Sequence, residues 1–494
     1  MLRRVLVANR GEIAVRVIRA CRELGIESVA VYSDADAGAL HTCLADRAVR
    51  IGPAPAAESY LSVPALIAAA REAGADAVHP GYGFLSESDA FARACLEAGL
   101  VFIGPPPEAL AGMGSKIAAR ALAERAGVPI VPGLTPADQS DAALVAAAAQ
   151  VGYPLLVKPS EGGGGIGMKV VREAADLRPA LTQARREAQA AFGDGTLYLE
   201  RLVERPRHVE FQIIADDHGH VVHLFERECS IQRRHQKVLE ETPSPALTPA
   251  LRQRMGDAAV RLARAAGYRN AGTVEFLLEG AGEDARFYFL EMNARLQVEH
   301  PITETVVGVD LVRAQLLVAA GAPLPWTQDE LRQRGHAIEV RVYAEDPARG
   351  HLPQAGVLAL YREPSGPGIR VDAGVVEGST VPVHYDPLLA KLIASGETRE
   401  IARRRAVAAL QDYPVLGVRT NLAFLAALLS HDRVARGDVD TTFLDEEGGT
   451  LLEGHHDMPP EVSTIATLEG VSALAGTASP GVPDPWQALR DVRV

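Results

Sequence analysis

Glu275, Glu291 and Asn293 fall in one segment, GTVEFLLEGAGEDARFYFLEMNARLQVEHP at 272–301, at positions a hairpin would bring together. Thr273, Glu275 and Leu277 alternate with Val274, Phe276 and Leu278, and Phe287, Phe289 and Glu291 with Tyr288, Leu290 and Met292. Period-two alternation rich in β-branched and aromatic residues predicts strands, and GAGEDA between them predicts the turn. Opposed residues of a hairpin share one midpoint. That of Glu275 and Glu291 is Glu283, inside the turn, so the register faces the two carboxylates on one side. Asn293, two residues on, points the same way. Facing carboxylates repel unless a cation lies between them, and hard oxygen donors suit an Mg²⁺ that also holds substrate phosphates. An exposed hairpin carrying two solvated acids would show the same pair. Arg295, Gln297, Glu299 and His300 follow at once, and this added cation, amide and acid favour the metal site.

Phosphate-holding groups precede it. PLLVKPS predicts a strand carrying Lys158, EGGGGIGM a glycine loop, and KVVRE a returning strand. Gly162, Gly164 and Gly167 formally satisfy GxGxxG, but the dinucleotide fingerprint must open a helix and this loop does not. No GxxxxGK[ST] run occurs. The N–H groups of a glycine loop between antiparallel strands can still fold over a phosphate chain, and Lys158 beside it favours that use. Strands are predicted at 198–203, 208–215 and 221–226, leading into a basic loop, CSIQRRHQK, with Arg233, Arg234, His235 and Lys237. Lys116 opens an alanine-rich helix, and further helices are predicted at 248–266 and 311–319.

The N-terminal third alternates strand and helix: strands at 5–8, 29–32 and 77–78, helices at 13–24, 66–73 and 90–98. Repeated βαβ predicts a doubly wound parallel sheet with ligands at its strand ends, where HPGYGFLSE falls. The chain has 494 residues, enough for two to four domains, with 47% hydrophobic and 23% charged residues. A net charge of −13 argues against nucleic-acid binding. The four cysteines form no metal or disulfide spacing and are expected reduced and buried. No apolar run is long enough for a membrane span and no leader pattern opens the chain, so a cytoplasmic location is expected.

ANRGEIA, HPGYGFLSE, KPSEGGGGIGM, RHVEFQ, ERECSIQRRHQK, FLEMNARLQVEHPITE and GHAIEVRVYAEDP together resemble the biotin carboxylase component of biotin-dependent carboxylases, within the ATP-grasp superfamily. The resemblance runs in order over about nine-tenths of the chain. It implies an α/β protein: an N-terminal Rossmann-like domain (1–113), a central ATP-grasp domain of α+β type (114–330), a small β-rich C-terminal domain with helices (331–445) and a linker-like tail (446–494). It also implies MgATP-driven (or Mn²⁺-supported) carboxylation of biotin by bicarbonate. By similarity Lys116, Lys158 and the loop Gly162, Gly163, Gly164, Gly165 and Gly167 hold phosphates, and Glu200 and Leu202 the adenine. His208, Gln232, His235 and Lys237 line the nucleotide and phosphoryl site, and Glu275, Glu291 and Asn293 bind metal. Arg295, Gln297 and the Val298 backbone orient bicarbonate, Glu299 is its base, and Arg341 stabilises the biotin enolate.

Two features depart from the family. Ile166 stands where a basic residue is common in the glycine loop, and no AMKM-like biotin-attachment sequence occurs. The expected partners are therefore a biotin carboxyl carrier protein or domain and a carboxyltransferase subunit, with a homodimer possible. The chain is read as an acyl-CoA carboxylase component, either a truncated α chain or one completed by a separate carrier. Two other readings remain: another ATP-grasp ligase such as a carbamoyl-phosphate-forming enzyme, disfavoured by RLQVEH after EMNAR, and a non-catalytic nucleotide-binding subunit, favoured only by Ile166.

Overall fold

The computed structural model describes residues 2–161 and 167–452. The first apolar run forms β1 (Arg4–Val7), parallel to β2 (Glu27–Ser33) and β4 (Ala77–His79). With β3 (Arg47–Gly52) and β5 (Val101–Phe102) they make a five-stranded parallel sheet in the order β3-β2-β1-β4-β5. The pleat sorts the side chains. Val5 and Val7 share a core with Ile13 and Val17 of helix Gly11–Glu23, and Leu6 one with Leu66 and Phe91 on the other face. Strand β3 was not foreseen, because as an edge strand it exposes Arg47 and Arg50 and hides its alternation.

A second sheet is antiparallel: β6 (Gly133–Leu134), β7 (Leu155–Pro159), β8 (Lys169–Val171) and β9 (Leu197–Arg201), ordered β6-β9-β7-β8. Helices Asp141–Val151 and Leu177–Phe192 cover it through Leu144, Ala148, Leu181 and Ala184.

The third and largest sheet contains β10 (Arg207–Ala215), β11 (Val221–Arg233), β12 (Gln236–Thr242), β13 (Asn270–Glu279), β14 (Arg286–Asn293) and β15 (His336–Tyr343). Its order is β14-β13-β10-β11-β12-β15, continued by strands Leu388–Gly396 and Ile369–Ala373. The segment after 330 thus adds its long strands to the central sheet. One face is apolar: Val209, Phe211, Ile213, Val274 and Phe276 pack with Leu251, Met255 and Leu262 of helix Pro249–Ala265. The alternate residues His208, Glu210, Gln212, Thr273 and Glu275 lie on the other face and are buried too.

The hairpin β13–β14 pairs Thr273 with Asn293, Val274 with Met292 and Glu275 with Glu291, the register expected. A bulge follows, so Phe276 opposes Phe289 rather than Leu290 and the turn is offset from the expected midpoint. The predicted basic loop is a correction. Residues 229–233 continue β11, and only Arg234 and His235, at φ 49° and 64°, turn the chain into β12. The basic run masked the period-two burial of Cys229 and Ile231. Cys21, Cys95 and Cys229 are buried, but Cys43, expected buried, is exposed. Gly162, Gly163, Gly164, Gly165, Ile166 and all but the first residues of the expected tail lie outside the described residues. Among the described residues no helix is long and apolar enough to cross a membrane.

Arg227, fully buried, ties the polar face together. Its Nε donates to Glu210 Oε1 (2.6 Å), Nη1 to Gln212 Oε1 (2.7 Å) and Thr303 Oγ1 (3.0 Å), and Nη2 to Thr273 Oγ1 (3.1 Å). Arg227→Met should lower stability in urea unfolding by about 3–5 kcal/mol, because it strips a buried carboxylate of a partner. A loss below about 1 kcal/mol would show that Lys237 alone compensates Glu210.

Candidate active site

A cavity of about 670 Å³ is lined from both antiparallel sheets, by Lys158 and Glu200 from one and His208, Gln232, Glu275 and Glu291 from the other. Leu156, Val170, Leu277 and Leu290 give it apolar walls. That size and mixture suit a ligand with a flat base and a polyanionic end. Lys158 Nζ donates to Glu200 Oε2 (3.1 Å), and Arg120 donates to the other oxygen (2.6 Å). Burial works against the Lys158 charge, but Glu200 outweighs it and keeps the ammonium protonated. Lys116 is pulled below the usual lysine range by burial, a pull that Glu291 opposes. Leu202 lines the cavity, but its N–H already serves the Pro154 carbonyl (3.0 Å), so it offers a ligand only its carbonyl and side chain. Gly167 closes the glycine loop at φ +76°, and a Cβ there would come within 2.8 Å of Pro159.

The eight-stranded sheet brings a second group together. Lys237 Nζ donates to Glu275 Oε1 (2.9 Å), Glu299 Oε1 (2.7 Å) and Glu210. His208 Nε2 stands 3.0 Å from Glu275 Oε2, an ion-pair distance without hydrogen-bond alignment. Arg341 Nη2 donates to Glu299 Oε2 (3.0 Å) and its Nε to Glu240 (2.7 Å). Burial penalises charge at Glu275 and Glu299. At Glu275, Lys237 and His208 prevail, and at Glu299, Lys237 and Arg341 do. Both carboxyls are held well below the usual range.

Arg295 uses its whole fork: Nε donates to Glu87 Oε2 (2.8 Å), Nη1 to Gln297 Oε1 (3.1 Å) and Nη2 to Asn293 Oδ1 (2.9 Å). Asn293 Nδ2 in turn donates to Glu275 Oε1 (2.8 Å). Glu291 lacks such a cation. Burial and then the facing Glu275 push its carboxyl up, against the pull of Lys116 and Lys158. A pair of opposed acids, one raised by the other, fits a hard divalent cation, and the Asn293 oxygen would join them only by giving up its contact with Arg295. His208, Glu210 and Glu275 also converge, but Arg227 and Lys237 already satisfy Glu210.

Of the residues singled out from sequence, Lys237, Glu275, Glu299, His208, Arg341, Asn293, Arg295 and Gln297 form one linked network. Lys116, Lys158, Glu200, Leu202, Gln232, His235 and Glu291 line the adjoining cavity, as do His208 and Glu275. Val298 stands in the chain between Gln297 and Glu299 of that network, and its carbonyl accepts from Lys391 (2.9 Å). Glu87, Arg120, Glu210, Glu240 and Lys391 were not foreseen. Glu210 had a signal, since RHVEFQ places it two residues from His208 on the same strand face.

The sites of phosphate-binding and anion-binding character, set across two antiparallel sheets, define an ATP-grasp enzyme. Residues 1–110 match the biotin carboxylase N-terminal domain, 115–327 the ATP-binding domain of the carbamoyl-phosphate synthase large chain, and 339–446 the biotin carboxylase C-terminal domain. The chain is 52% identical over 444 residues to a biotin carboxylase of Halalkalibacterium halodurans, covering 90% of this chain and 97% of that one. It is 50% identical over 487 residues to the mitochondrial methylcrotonoyl-CoA carboxylase subunit alpha of Arabidopsis thaliana, covering 98% of this chain but 66% of that one. The biotin carboxylase domain dimer of Hydrogenobacter thermophilus 2-oxoglutarate carboxylase, solved with MgADP, ADP and bicarbonate, superposes with TM-score 0.87 at 43% identity. The match covers 91% of this chain and 99% of that one. The chain belongs to the biotin carboxylase family, whose members are ATP-dependent ligases.

Lys237→Met should destabilise the protein increasingly as pH rises. In the unsubstituted protein Glu275 and Glu299 have depressed values, so their contribution is complete above the unfolded carboxyl pKa and is lost only in acid. Without the ammonium the buried acids favour protonation, and their ionisation costs stability through neutral pH. The gap in unfolding midpoint should already be present at pH 5 and widen towards pH 8, and a gap that stays constant over that range would contradict this.

Proposed function

We propose that the chain carboxylates biotin, presented on a carrier protein or domain, with bicarbonate and MgATP. Supporting this is the clamp on Glu299, whose two oxygens are held by Lys237 at 2.7 Å and Arg341 at 3.0 Å beside the Arg295–Gln297 pair. Lys116, Lys158 and the glycine loop hold the nucleotide phosphates, and Glu200 and Leu202 flank the base. Glu275, Glu291 and Asn293 hold the metal, which offsets the negative charge that gathers on the phosphoryl oxygens. Asn293 Oδ1 now serves Arg295, so the amide must share or release that contact when a cation is bound.

Arg295, Gln297 and the Val298 N–H orient bicarbonate. Glu299 removes its proton while a bicarbonate oxygen attacks the γ-phosphorus and ADP leaves. The Glu299 carboxylate is a weak base while Lys237 lies against it. An anion that draws the ammonium toward itself restores basicity. Carboxyphosphate then breaks into CO₂ and phosphate, and the phosphate takes the ureido proton of biotin. Arg341 stabilises the enolate so formed until its nitrogen attacks CO₂.

The carboxylated biotin would serve a carboxyltransferase partner. An acyl-CoA acceptor of the methylcrotonoyl-CoA type is one reading, supported by the similarity to that α subunit over 98% of the chain. The dimer of the structural relative suggests a homodimer here as well.

ADP release should depend on bicarbonate and rise further with free biotin. Dependence on ammonia instead would point to a carbamoyl-phosphate-type ligase, and nucleotide binding without turnover to a non-catalytic subunit. Glu299→Gln should cut bicarbonate-dependent turnover by roughly 10²–10⁴-fold with ATP binding retained, and unchanged hydrolysis would remove it as the base. Glu291→Gln should abolish turnover and weaken metal-dependent nucleotide binding in calorimetric titration, whereas near-normal rates would remove it from the metal site.

A further inference from the structure

Lys391 lies outside every motif that pointed to the site, yet it is fully buried beside it. It sits on strand Leu388–Gly396, opposite Arg341 of β15 on one side and Asp372 on the other. Its Nζ donates to the Val298 carbonyl (2.9 Å) and lies 3.2 Å from Glu12 Oε2, 3.9 Å from Asp372 Oδ2 and 6.0 Å from the centre of the Tyr82 ring. Glu12 comes from the N-terminal helix Gly11–Glu23, and neither of its oxygens has an aligned hydrogen-bond donor. Three remote parts of the chain therefore meet on one ammonium.

We propose that Lys391 is a positioning residue that aims the Val298 N–H at bicarbonate by fixing the peptide that follows it. The inference rests on residues 297–299 holding that anion. A peptide unit is planar, so pinning the Gln297 carbonyl sets the direction of the Val298 N–H, and pinning the Val298 carbonyl keeps the plane on the other side of the same Cα from turning it. The peptide before Val298 is pinned by the His300 ring, whose Nδ1 lies 2.8 Å from the Gln297 carbonyl. Burial, and then the charge of Lys391, keep the His300 ring neutral, so Nδ1 is the protonated nitrogen facing that carbonyl. The peptide after Val298 is pinned by Lys391. With both planes held, φ and ψ of Val298 are confined, and its N–H, which meets no acceptor among the described residues, keeps one direction. An ordinary buried ion pair does not account for this arrangement. A hydrophobic residue of similar volume often stabilises a core as well as a buried charge pair does, but it cannot donate to a carbonyl.

Steady-state ADP release by the full chain, titrated separately in bicarbonate and ATP, tests the assignment. Lys391→Met should raise KM for bicarbonate by about tenfold, the worth of one charge-assisted hydrogen bond, while KM for ATP stays within about twofold. Glu12→Gln keeps the carbonyl contact and should leave bicarbonate KM within about threefold. The double variant Glu12→Gln/Lys391→Met leaves no unpaired carboxylate at position 12. It should fold where the single variant does not and show the same rise in bicarbonate KM. An unchanged bicarbonate KM in either folded Lys391 variant, or an equal rise in both KM values, overturns the inference. Absence of bicarbonate-dependent turnover in the unsubstituted chain overturns the bicarbonate reading beneath it.

Discussion

One ammonium group, that of Lys237, makes the polar face of the large sheet possible. Glu210, Glu275 and Glu299 point at it from two strands and the start of a helix, and each is buried. Carboxylates so close repel strongly in a medium of low polarity, and each would neutralise itself by protonation. A cation within hydrogen-bond reach of all three reverses that preference at Glu275 and Glu299, and opposes it at Glu210, where burial still holds the carboxyl above its usual range. Arg227 behind Glu210 and Arg341 beyond Glu299 extend the alternation of sign. Remove the lysine and the sheet must either protonate or open.

This charge pattern explains why the central sheet crosses the expected domain border. Arg341 on β15 and Lys391 on the next strand belong to the C-terminal third, but their partners, Glu299, Glu240 and the Val298 carbonyl, belong to the central third. Strand pairing from β12 to β15 fixes the two sets in register. The N-terminal third reaches the same residues by side chains alone. Glu87 caps Arg295 and the Ala294 N–H, and Glu12 reaches Lys391. Each third contributes charges to one site, and none completes it alone.

Much of this was legible because the chemistry is local. Glu275, Glu291 and Asn293 follow from strand alternation and a turn, and the pairing that matters is the one the sequence implies. The bulge beyond Glu275 was not legible: it reverses the phase of the alternation, so Phe289 joins the apolar core while Leu290 and Glu291 both face the cavity, and the mixed types of this short strand do not mark where the phase changes. Residues 229–233 were misread as loop because their basic character outweighed the alternation of Cys229 and Ile231. Glu87 closes HPGYGFLSE, but nothing there shows that it will meet Arg295, and Lys391 lies in no motif at all. They lie 208 and 93 residues from the groups they hold, and only the tertiary fold sets such distances. Arg227 was hidden for the same reason, as nothing in ERECS marks an arginine that will be wholly enclosed.

Arg295 and the opposed acids are joined through a single side chain. Asn293 gives its amide hydrogens to Glu275 and its oxygen to Arg295, so the acid pair and the guanidinium share one planar group. A hard cation between Glu275 and Glu291 competes with Arg295 for that oxygen, and an anion at the fork competes with Asn293 for the guanidinium. The two competitions relieve each other, because the cation frees Arg295 as the anion frees Asn293. Among the described residues nearly every donor here is matched internally, and Glu291 forms no ion pair, with Lys116 and Lys158 acting on it only across the cavity. On the proposed reading ligands exchange partners rather than fill gaps, and filling both sites together costs less than the sum of filling each by itself.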